Sequence, residues 1–177
     1  MRQNRRERLR REIAQLREAA FSARAWSRTD EVVALEIEKG AIVKGRVLAD
    51  CAAIEEASAL LLMHEWLSRD VQFNRLRYFG RIKKYALLYE ALGHVTARHK
   101  MTLVKKIARP PKSVTSTVER MLALRDVVAH VFTLEDVANS LKYKGESVLT
   151  ADGLENYMRD ASAAVSWLIR RSGVLKR

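Results

Sequence analysis

Three polar residues interrupt the apolar run 123-ALRDVVAHVF-132: Arg125, Asp126 directly after it, and His130 five positions beyond the arginine. Arginine and histidine together suit phosphate chemistry. A neutral imidazole can take a proton from a ribose 2′-hydroxyl, and a guanidinium can hold the charge that builds up on a pentavalent phosphate. Metal-independent cleavage of RNA needs little more. On one continuous helix, however, Arg125 and His130 lie about 140° apart around the axis and ~7.5 Å apart along it. They do not share a face, so a complete site within one helix is awkward. A second subunit could bring a matching pair opposite.

Glu55 is a second candidate. At helical spacing it shares a face with Leu48, Cys51, Ala52, Ala59, Leu62 and Trp66. A lone carboxylate in such a stripe is costly, so Glu55 should either pair with a cation or reach a cleft. Glu56, turned about 100° further, can be solvated. Cys51, on the same apolar face, reads as a small core residue rather than a nucleophile. His64, His94 and His99 are not at metal-ligand spacing with one another, so no metal and no cofactor are expected. The sequence contains neither a Gly-rich phosphate loop nor a nucleophile elbow.

The net charge of +12 is unevenly spread. Residues 1–28 hold nine Arg against three Glu, residues 30–70 are acidic, and residues 75–112 hold eleven Lys or Arg against Glu90 alone. Segregation of this kind implies basic faces, with nucleic acid the first partner to consider and an acidic protein or membrane surface the next. Arg75, Arg77, Arg81, Lys83, Lys84, Lys105 and Lys106 would track an RNA backbone, with salt-sensitive binding. A single cysteine excludes an internal disulfide framework, and no apolar run approaches the length of a membrane span. The Arg-rich N-terminus has no apolar signal core after it, and Glu7, Glu12 and Glu18 argue against a transit peptide. A soluble, cytoplasmic protein is the expectation.

Helical periodicity dominates the chain, and one all-α domain of about five helices is expected to position these groups. Leu9, Ile13, Leu16 and Ala20 form a narrow stripe in a basic helix within residues 1–28; the main helical domain covers 29–177. A second helix runs from Thr29–Asp30 to about Ser68, weakened at Gly40 and Gly45. A third spans about Val71 to Leu92, ahead of Gly93. The basic stretch 94–113 looks less regular, and Pro110–Pro111 end any helix there. The pattern 116-STVE-119 reads as a capping box opening a fourth helix. Residues 133–151 form a connection with 142-KYKGES-147 as its exposed tip and no convincing strand. A last helix starts at 152-DGLE-155, with Leu154, Tyr157, Met158, Ala161, Val165, Leu168 and Ile169 on one stripe.

The order 54-IEE-56, 79-FGRIKKYALLYEALG-93 and 122-LALRDVVAH-130 resembles the HEPN superfamily of small helical domains, and within it the mannitol-operon-regulator-like branch. The likeness covers roughly residues 42–171, leaving the N-terminal helix as an addition. Its signature is Arg, four to six residues, then His, with a polar residue directly after the Arg; Arg125, Asp126 and His130 supply it. Many members carry Asn where Asp126 stands. The resemblance implies an up-and-down bundle of four to five helices that forms a homodimer, with the Arg–His motifs of two subunits facing across a cleft. Active members are metal-independent endoribonucleases, often toxins of toxin–antitoxin or phage-defence pairs, so a cognate antitoxin or acidic protein is an implied partner. On that reading His130 is the general base, Arg125 stabilises the transition-state phosphate, Asp126 orients one of them, and Glu55 stands behind. The alternatives are a non-catalytic HEPN regulatory module and a plain interaction bundle.

Overall fold

A computed structural model of the chain describes residues 2–20, 31–66, 83–130 and 141–173. These hold six helices: α1 (Arg2–Ala20), α2 (Glu31–Trp66), α3 (Lys83–Gly93), α4 (Ala97–Ala108), α5 (Lys112–His130) and α6 (Ala151–Arg171). Between α5 and α6 sits a hairpin of two short strands, β1 (Lys142–Tyr143) and β2 (Glu146–Ser147). The protein is all-α. No helix among the described residues is long and apolar enough to cross a membrane.

The chain divides into two compact units, residues 1–42 and 43–177. In the first, Arg8 and Glu12 pair one turn apart on α1, while Ile13 and Leu16 of the expected stripe are exposed. In the second, a single core forms from Val47, Ile54 and Leu61 of α2, Val104 of α4, Met121 of α5, and Tyr157 and Leu168 of α6. Here α5 packs chiefly on α6 and also on α4. The α6 stripe is as the sequence reads: Tyr157, Ala161 and Leu168 are buried, with Leu154, Met158, Val165 and Ile169 packed against the core.

Several boundaries differ from the sequence reading, each for a local reason. Gly40 and Gly45 do not interrupt α2, because one glycine costs only about 1 kcal/mol and each added turn keeps its hydrogen bonds. The buried side of α2 runs through Val43, Val47, Cys51, Ile54 and Ser58, so Glu55 sits at its edge, and Leu48 and Trp66 are exposed. The stretch 94–113 contains a regular helix. Thr96 caps α4 by accepting from His99 N, and Ala97, Lys100, Met101, Val104 and Ala108 are buried. A lysine on the inward face hides that periodicity. The helix stops at Arg109 in a left-handed conformation (φ 47), followed by the two prolines. Helix α5 begins right after them, so Ser116 lies inside it and donates to Ser113 O, while Glu119 pairs with Lys105 rather than capping. The 142–147 tip is a hairpin turning at Lys144 (φ 52) and Gly145 (φ 88), the positive pair that a tight two-residue hairpin turn requires. It is not all surface: Tyr143 is buried, meeting Tyr157 edge-on at 5.3 Å.

Candidate functional site

Arg125 and Asp126 are adjacent on α5, and their side chains turn towards each other. Arg125 donates to Asp126 Oδ1 through Nε at 3.2 Å and Nη2 at 2.7 Å. Arg98, from α4, donates to the other oxygen of the same carboxylate. Asp126 thus bridges arginines from two helices while all three stay in contact with solvent. The Arg125 hydrogen bond, with help from Arg98 and against a smaller opposing effect of burial, holds Asp126 below the usual carboxylate range. It stays ionised wherever the fold is intact near neutral pH.

A second ion pair lies between α4 and α2. Lys100 Nζ reaches Glu55 Oε1 at 2.8 Å; the lysine side chain is 4% exposed and the glutamate 36%. Glu55 therefore has a cation, but it is the buried lysine rather than the half-exposed carboxylate whose position demands a partner. Glu56 is solvated and accepts a hydrogen bond from Tyr89. Cys51 lies one turn before Glu55 on α2, and the charges of Arg125, Asp126 and Glu55 act on its thiol. Burial pushes its thiol up to about 11, with Arg125 a weaker counter-influence, and Sγ donates to Met121 O. A thiol of this kind is a core group, not a nucleophile.

His130 is the last residue of α5 and is exposed, without a hydrogen-bond partner among the described residues. The structure does not join it to Arg125 within the chain, in keeping with their 140° divergence. Asp126 and His130, four apart, do share a face, with about 5–6 Å between Cβ atoms. Of the basic residues expected along an RNA backbone, Lys105 pairs with Glu119 and Lys106 is exposed. Arg75, Arg77 and Arg81 lie outside the described residues, and of Lys83 and Lys84 only the helical backbone opening α3 is described.

Comparison with protein-family models, curated proteins and solved structures finds no match.

Arg98 and Lys100 belong to the site and were not singled out from the sequence. A signal for Lys100 exists, since it falls on the 97/101/104/108 face of α4, where a charge needs a partner. Arg98 carries no such mark; only the fold brings it to Asp126 across 28 residues. The described residues contain no cluster of three or more His, Cys, Asp or Glu that could hold a metal.

Proposed function

We propose that the chain is a metal-independent endoribonuclease of the HEPN type, acting as a homodimer. The observation that carries this reading is the convergence of Arg98 and Arg125 on Asp126, one helical turn before the exposed imidazole of His130. Asp126 fixes the guanidinium of Arg125 in orientation, and its own charge is offset by two cations, leaving the cluster net positive towards a phosphate. His130 removes the 2′-hydroxyl proton. The freed oxygen attacks the adjacent phosphorus, and the 5′-oxygen leaves with a proton from water, producing a 2′,3′-cyclic phosphate and a 5′-hydroxyl end. Across a two-fold axis, two such faces supply what one helix cannot. A toxin role, with an acidic antitoxin covering the basic surface, is the setting this chemistry fits.

The test is cleavage of structured RNA in EDTA. The wild-type chain is expected to release fragments ending in 2′,3′-cyclic phosphate, and His130→Ala to cut about a hundredfold more slowly or worse. Absence of cleavage by the wild type on several RNAs would sink the nuclease reading. Equal rates for the two would put the site elsewhere.

One observation favours a non-catalytic nucleic-acid-binding module instead. Asp126 occupies Nε and Nη2 of Arg125, the donors that a phosphate would take as a bidentate pair. Asp126→Asn separates the two readings. If the carboxylate positions the guanidinium for catalysis, the amide lowers kcat about tenfold with KM little changed. If it only blocks the guanidinium, RNA binds more tightly and nothing is cut.

A further inference from the structure

A cavity of about 610 Å³ opens at the other end of α5, between its first turns, the hairpin and α6. Its volume is in the range of small-molecule sites. By helical rise it begins ~12 Å from Arg125 at Thr117 and extends to ~18 Å at Ser113, so it is separate from the arginine cluster. Part of its lining is apolar: Trp167, Val114, Ala163 and Ala164.

The opposite character comes from charge. Lys144, Arg170 and Arg171 line the cavity against Asp160 as its one acid. Asp160 is already committed: burial disfavours its ionisation, but hydrogen bonds from Lys144 and Tyr143 outweigh that and hold it ionised. Lys144 is neutralised by the same pair, and Arg171 leans towards Glu65 at 3.6 Å. Arg170 is different. Its Nε donates to the carbonyl of Ser166, and no carboxylate partners it among the described residues. The first turn of α5 adds to this field. Its first backbone bond runs from Thr115 N to Pro111 O, and the turn has no acidic residue to offset the positive end of the helix dipole.

From these features we infer a binding site for a small molecule that combines one planar aromatic ring with one anionic group, a carboxylate or phosphate. The ring lies along Trp167 over Ala163, and the anion meets Arg170 and the N-terminal turn of α5. An uncharged arene lacks the second contact and a free inorganic anion lacks the first. The inference does not depend on RNA cleavage, since none of these residues belongs to the arginine cluster.

The test uses 1-naphthyl phosphate, followed by its own fluorescence anisotropy on the full chain, with 1-naphthol and inorganic phosphate as the two half-ligands. The expected result is saturable binding of 1-naphthyl phosphate at least tenfold tighter than either half. Arg170→Glu should weaken it at least tenfold, and Ala163→Trp, which fills the slot from an exposed position, should abolish it. Both substituted residues are exposed, and unchanged far-UV dichroism confirms that each variant folds. Failure of the wild type to bind at millimolar ligand overturns the proposal. Undiminished binding by both variants overturns it equally, because the ligand would then sit on another basic surface.

Discussion

Glu55→Ala is expected to lower the unfolding free energy by roughly 3–5 kcal/mol, while Lys100→Met changes it by only about 1 kcal/mol. The two residues form one ion pair, so a simple count of lost contacts would predict equal losses. Their surroundings differ. Lys100 is 4% exposed and Glu55 is 36% exposed. Without Glu55, an ammonium remains buried between α4 and α2 with its carboxylate partner gone. Without Lys100, the carboxylate can turn to water, and methionine fills the lysine's channel with an apolar chain of similar length. Glu55→Gln should fall between, because the amide oxygen still accepts a hydrogen bond from Nζ. Urea unfolding followed by far-UV dichroism measures all three, with equal m-values showing that the same unit unfolds. Equal losses from Glu55→Ala and Lys100→Met would show that the lysine is not isolated from solvent in the way its position implies.

The same pair shows what the sequence could and could not reveal. That Glu55 would pair with a cation or reach solvent was legible from its helical spacing with six apolar residues, although the structure exposes Leu48, Ala52 and Trp66 of that stripe and leaves Glu55 at the edge of the buried side. Which cation it finds was not, since Lys100 lies 45 residues away in a stretch whose periodicity that very lysine obscures. The α6 stripe was legible for the opposite reason: its inward face carries no charge, so the 3.6-residue period stands out. The α5 start was misplaced because 116-STVE-119 has capping chemistry, yet two prolines directly before Lys112 had already opened the helix at a point where proline loses no hydrogen bond. The divergence of Arg125 and His130 followed from helix geometry alone. The arrival of Arg98 at Asp126 did not, because an exposed arginine on a basic helix carries no mark of its partner.

Gly153→Ala should destabilise the protein by about 2–3 kcal/mol, against the usual trend for helices. Alanine in place of glycine inside a helix ordinarily gains up to about 1 kcal/mol, by restricting the unfolded chain and improving propensity. At Gly153 the added Cβ would stand 2.1 Å from the backbone oxygen of Ser147 and 2.9 Å from its carbonyl carbon. Neither is the end of a flexible side chain. The Thr150 hydroxyl ties the same spot together, donating to Ser147 O at 2.8 Å and accepting from Gly153 N at 3.2 Å. Making room for a methyl means separating the α6 N-terminus from β2, which strains this cap and lifts the hairpin. The hairpin in turn holds Tyr143 against Tyr157 and donates its hydroxyl to Asp160, so the displacement reaches the core and the cavity wall together. Gly45→Ala provides the internal control. It lies within α2, exposed, with nothing within 4 Å of its would-be Cβ, and there the ordinary gain should appear. The two substitutions are chemically identical and should shift the urea midpoint in opposite directions. A midpoint raised by both would mean that the approach of Ser147 to α6 yields without cost, and that the hairpin is only loosely seated on the helix it precedes.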